Sequence, residues 1–167
     1  MIFLVQGKFK GFIYADSGNL ALGALGAKDA ISENLKQDAV RTRGFRFTRT
    51  EWFLNWNVEA AGEGPILIGL CGPGISAAEV EEAIEADPQS PDDTIPAPQA
   101  MRPYWPLAIL FPDTGGKSTI QGVININWAF PESEVMQIFA YNLGTGALTT
   151  GSQVDYFLKH FGAWLND

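Results

Sequence analysis

A single histidine, a single cysteine and one Gly-Lys-Ser turn are the first places to look for chemistry in this 167-residue chain. His160 stands among Phe157, Phe161 and Trp164. To act as a general base it would need a serine on a G-x-S-x-G elbow, and the sequence has none. Ser152, with Asp155 three residues on, reads as a helix cap instead of a nucleophile. Cys71 falls in an apolar run, PILIGLC, where a thiol behaves as a small hydrophobic group. One Cys and one His cannot complete the usual zinc sites. Gly116-Lys117-Ser118 matches the end of a phosphate-binding loop. The first glycine of that motif would fall at Phe111, however, and a strand follows where a helix is required. The acids Glu79, Glu81, Glu82, Glu85, Asp87, Asp92 and Asp93 lack EF-hand spacing and fit a solvated helix face. No spacing among them selects a carboxylate pair for hydrolysis. The expectation is a protein that is not an enzyme, with no metal and no cofactor.

Charge gives a more positive indication. Residues 1–50 carry eight Lys or Arg against four acids, while residues 51–167 carry three against fifteen, for a net charge of −8. A chain so acidic is a poor general nucleic-acid binder. The densest basic run is Arg41, Arg43, Arg46 and Arg49, interleaved with Phe45 and Phe47. That mixture suits phosphate neutralisation with base stacking, and equally suits ion pairs with an acidic neighbouring subunit. These four arginines are the candidate contact residues, for nucleic acid or for another copy of the chain.

The elements around these residues are mostly strands. From Trp52 to Val58 the sequence alternates strictly, with Trp52, Leu54, Trp56 and Val58 on one face and Phe53, Asn55 and Asn57 on the other. Pro65 to Cys71 is continuously apolar, as a strand covered on both faces would be. Residues Thr119–Trp128 alternate again, with Ile120, Ile124, Ile126 and Trp128 inward, and Glu134–Leu143 makes a further strand. Tyr104–Phe111 contains Pro106 and is expected at a sheet edge. Near the N-terminus, residues 2–15 read as two short strands around Gly7 or Gly11, followed by a Gly- and Ala-rich stretch.

Helical signals are fewer. Ser76 and Glu79 form a capping box, with Ile75 and Val80 placed as a hydrophobic staple and Asp87-Pro88 as the stop. Ile31, Leu35 and Ala39 predict a helix over Asp29–Val40. Val154, Phe157, Leu158, Phe161 and Leu165 favour a last helix, against a competing strand reading through Val154, Tyr156 and Leu158. Residues 88–103, with five prolines, form a surface excursion.

Eighteen Gly and ten Pro fit short strands and many turns. There is no βα alternation, so a parallel doubly wound sheet is disfavoured. The fold class expected is mainly β, an antiparallel β-sandwich or jelly roll with two or three short helices. Residues 1–44 are expected to form an N-terminal arm and 45–167 the sandwich domain. No run of about 18 apolar residues is present to span a membrane. The opening MIFLVQGKFKGF does not read as a signal peptide.

Three stretches, ILIGLCGPGISAAEVEEAIEADPQSP, ININWAFPESEVMQIFAYNLGTGALTTG and the closing FGAWLND, give residues 45–167 a likeness to a known family. This region resembles the single-jelly-roll capsid proteins of small viruses and phages, in which a helix follows an early strand and long loops come later. The resemblance implies a self-assembling virion subunit, made in a host cytoplasm and partnered by copies of itself and other virion proteins. Any genome contact would run through Arg41–Arg49. Other classes stay open: a tail-tube or decoration subunit, a carbohydrate- or small-ligand-binding sandwich using Tyr104 and Trp105, and a hydrolase with dispersed acids.

Overall fold

A computed structural model describes residues 11–23, 25–35, 45–58, 65–72, 75–85, 104–111, 116–130 and 136–164. Strand β1 (Gly11–Ala21) pairs with β9 (Gln153–Trp164), β2 (Ala30–Asn34) with β8 (Gln137–Asn142), β3 (Phe45–Val58) with β6 (Gly116–Ile124), and β4 (Ile66–Cys71) with β5 (Tyr104–Leu110), all antiparallel. First pairs with last and second with last but one, leaving aside the short β7 (Trp128–Phe130). The chain is therefore one long hairpin doubled back on itself. Rolling that hairpin lays β9 beside β3 and β8 beside β4. The result is a front sheet in the order β1-β9-β3-β6 and a back sheet in the order β2-β8-β4-β5. This is the strand arrangement of a jelly roll.

The alternating side chains explain why the two sheets close. Leu20, Leu54, Trp56, Val154, Tyr156 and Leu158 of the front sheet meet Ile66, Ile68, Leu70, Leu110, Ile138 and Ala140 of the back sheet in one core. Part of the other face of the back sheet is also covered, with Ile109 left exposed on the edge strand β5. Leu67, Cys71, Tyr104, Phe139 and Tyr141 lie there under Val80, Ile84 and Ile75, from helix α1 (Ala77–Glu85) and its approach. This is why β4 is apolar without alternation, for all six of its residues are buried. The capping box forms as expected. The Ser76 amide donates to Glu79 Oε2 at 2.8 Å, and the Glu79 amide donates to Ser76 Oγ at 3.3 Å.

Pro106 lies on an edge strand, β5, opposite Gly69, and the register slips between Ile68 and Gly69. A strand without one amide donor belongs at such an edge. The run expected as a single strand over Thr119–Trp128 is broken at 125–127. The break faces a bulge in β3 between Phe47 and Arg49, where the Ile126 amide donates to the Thr48 carbonyl at 3.2 Å.

Two helix expectations are corrected. Within Asp29–Val40, residues Ala30–Asn34 are strand β2, paired to β8 with Ile31 opposite Ala140; residues 36–40 lie outside the described residues. Val154–Leu165 is not a helix over its described residues, which belong to β9 through Trp164. Ser152 caps nothing helical, since its carbonyl accepts from the Leu22 amide at 2.8 Å. The cause is shared. Ile31 and Leu35, like Val154 and Leu158, are four residues apart, a spacing that keeps one face in either a helix or a strand. Within residues 1–44, β1 and β2 are edge strands of the front and back sheets. The sandwich thus draws on the segment expected to be an arm. Residues 2–10, within the stretch expected to form two short strands, and 88–103, expected to form a surface excursion, lie outside the described residues.

Candidate functional site

Among the described residues, the outer face of the front sheet is left open. Pleating puts Glu51, Phe53 and Asn55 of β3, Asp155, Phe157 and Lys159 of β9, and Gln121 and Val123 of β6 on that side. Register sets them in rows across the strands. Glu51 faces Lys159, Phe53 faces Phe157, and Asn55 faces Asp155, while β6 places Val123 beside Glu51 and Gln121 beside Phe53. Phe53, Phe157 and Val123 are 40, 46 and 60 % exposed. Large apolar side chains grouped this way on a sheet face mark a contact surface more often than scattered ones do.

A shallow groove of about 410 Å³ runs through this group, bounded by Glu51, Phe53, Gln121, Val123, Phe157 and Lys159, with Trp52 and Gly122 at its floor. On the inner side of the same strands, a Cβ on Gly122 would come within 2.4 Å of the Trp52 ring, so the indole crosses β6 towards the core only because residue 122 is glycine. Polar groups frame the apolar centre. At one end the Arg49 guanidinium bonds Glu51 at 2.6 Å and lies 4.2 Å over the Phe161 ring, with Lys159 Nζ 5.2 Å from the same ring. At the other end Asp155 accepts from Asn19 Nδ2 at 2.6 Å and Asn55 Nδ2 at 3.3 Å. An apolar centre inside a polar, partly charged rim is the anatomy of a protein contact.

Of the four candidate arginines, Arg46 and Arg49 are exposed on β3, and Arg41 and Arg43 lie outside the described residues. Arg49 belongs to the open face. The remaining sequence candidates fall elsewhere. His160 points inward, fully buried, sharing a 2.7 Å hydrogen bond with Thr50 Oγ1 and stacked on Phe47 at 4.5 Å. Burial pushes its pKa down to about 3, so it stays neutral. Burial likewise pushes the Cys71 thiol up to about 12, with Glu79 adding to the shift, and a thiol so held is a poor nucleophile.

Lys117 and Ser118 are exposed along β6, with no helix N-terminus behind them. A phosphate loop is thereby ruled out. Glu79 is held below its ordinary value by the Ser76 amide and hydroxyl, which favour the carboxylate. Among the described residues no group of three or more His, Cys, Asp or Glu could hold a metal ion. Tyr104 and Trp105, expected as exposed ligand-stacking aromatics, do not fill that role. Tyr104 is buried under α1 against Phe139, and Trp105 packs against the main core.

The phenylalanine pair was not found by sequence reasoning. Phe53 is legible as an outward residue of a strand. Its partner Phe157 is hidden by the helix-like spacing of β9, and their pairing spans most of the chain. No protein-family model matches this chain, and no curated protein matches it significantly.

Proposed function

We propose that this protein is a virion structural protein, a capsid subunit that builds a shell from copies of itself and carries out no catalysis. The observation that carries the proposal is the set of large apolar side chains left exposed on the sandwich. The front sheet leaves Phe53, Phe157 and Val123 facing outward, and the β5 edge of the back sheet, beyond the cover of α1, leaves Ile109 and Phe111 exposed. A subunit with apolar side chains left exposed is suited to association, and repetition multiplies modest contacts into a stable lattice. The jelly-roll strand order supports the same proposal by analogy of fold, which by itself does not determine function.

Arg46 and Arg49 serve contacts between subunits in this proposal, because Arg49 is already engaged by Glu51 and Phe161. Genome contact through the Arg41–Arg49 run is the secondary role, and other virion proteins are secondary partners. Among the described residues no helix is long and apolar enough to cross a membrane.

Negative-stain images and sedimentation of the purified protein test this. Closed shells or large homo-oligomers with salt-dependent assembly are expected, and tubes would reassign the chain to a tail. A strictly monomeric profile across salt and concentration would overturn the proposal. The groove on the open face favours one alternative, a sandwich that binds a sugar or small ligand, since its volume lies within the range of ligand sites. Glycan binding that disappears in Phe157→Ser would favour that alternative.

A further inference from the structure

We infer that the open face of the front sheet docks on the same face of a second copy, through a two-fold contact centred on Phe53 and Phe157. This rests on the assembling role proposed above and specifies the surface involved. The argument begins with charge placement along β9. Asp155 and Lys159 lie on the same outer face, two residues to either side of Phe157. At about 3.4 Å per residue they are roughly 14 Å apart, too far to pair within one chain.

A two-fold axis lying in the contact plane and crossing the strands along the Phe53–Phe157 row reverses the order of the rows. Each phenylalanine then meets its own equivalent. Lys159 of each copy lies over Asp155 of the other, which gives two ion pairs, and Glu51 lies over the Asn55 amide. One surface is thus complementary to itself, as an isologous contact requires. Sheets stacked face to face keep their strands within about 30° of each other, so the rows stay near enough for these pairs.

The interface has the expected composition, with the two phenylalanines in the central row and charges in the rows to either side. The neighbouring contacts leave Lys159 suited to the pairing. Glu51, its cross-strand partner, is bonded at 2.6 Å by Arg49, and Lys159 Nζ is held over the Phe161 ring. Asp155 is held upright between Asn19 and Asn55 and keeps lone pairs for a further donor.

Sedimentation velocity on the full chain tests the contact, with wild type beside Phe157→Ser, Lys159→Asp, Asp155→Lys and the double reversal. Circular dichroism of each variant checks the fold. Phe157→Ser and Lys159→Asp each weaken self-association tenfold or more, and the double reversal recovers most of it because opposite charges again face each other. If Asp155→Lys fails to fold, having lost its two amide partners, the serine and Lys159→Asp variants decide alone. Large assemblies that survive both of these variants would overturn the contact and leave the shell standing. A wild type that forms dimers and nothing larger, sensitive to both substitutions, would uphold the contact and remove the shell. A monomeric wild type removes both, and glycan binding lost with Phe157 would assign the face to a sugar.

Discussion

His160 and Asn142 show how buried polar side chains are held in this sandwich. His160 has an ordinary pKa of 6.5 and is pushed down to about 3 by burial beside Phe47 and Thr50. The unfolded chain therefore takes up a proton that the folded chain refuses. Stability from the neutral ring is complete above about pH 6.5 and declines as pH falls from there towards 3, by at most about 1.4 kcal/mol per pH unit. Urea denaturation at pH 7, 6, 5 and 4 should show this fall, and His160→Phe should flatten the slope over that window. Asn142, fully buried, donates to the carbonyls of Gly26 and Gly146 at 2.8 Å each, and its Oδ1 accepts from the Gly144 amide at 2.9 Å. It ties the loop after β1 to the loop after β8. Asn142→Leu strands three backbone groups and is expected to cost roughly 2–4 kcal/mol, measured as a lower denaturation midpoint at unchanged slope. The partners of neither are legible in the sequence, where Asn142 reads as one more residue of the strand expected over Glu134–Leu143.

At the scale of elements, the back sheet shows how much local patterning can specify. The continuous apolar run of β4, the edge position of β5 with Pro106 and the capping box of α1 were all legible, because each depends on chemistry within a few residues. What escaped were strands whose apolar residues fall four apart: β2 with Ile31 and Leu35, and β9 with Val154 and Leu158. That spacing is common to both periods, and only pairing with a distant strand decides between them. The Phe53–Phe157 row was missed for the same reason, since half of it sits on β9. Close packing between elements was equally invisible. A Cβ on Gly69 would lie 2.6 Å from the Phe139 ring and 2.7 Å from the Trp105 carbonyl oxygen. Gly69→Ala should therefore push Phe139 of β8 off β4 and disturb the β5 bulge, with a cost of about 1–3 kcal/mol. Thermal melts of Gly69→Ala and of Gly69→Ala with Phe139→Leu check this. The smaller side chain should return only part of the loss, because the carbonyl cannot be trimmed.

For the whole molecule, the decisive feature is that its first and last described strands are neighbours, with Gly11 opposite Ala163 and Ala21 opposite Gln153. β9 lies between β1 and β3, so the last described strand is held inside the front sheet by two strands from much earlier in the chain. Such pairing closes loops of nearly full chain length before any contact repays them, which makes folding slow. Refolding followed by tryptophan fluorescence, with Trp52 and Trp56 on β3 as reporters, should take milliseconds to seconds. A microsecond phase carrying the full amplitude would contradict this order of events. Leu158, buried at the middle of β9, tests whether the sandwich behaves as one unit. Leu158→Ala is expected to cost about 2–5 kcal/mol through lost burial and the cavity left behind. If the front sheet holds the back sheet together, near- and far-ultraviolet dichroism will lose their signals at the same lowered midpoint. Separate transitions would mean that the back sheet and α1 stand without β9, and the open front face would then be a detachable layer instead of the rigid platform that assembly requires.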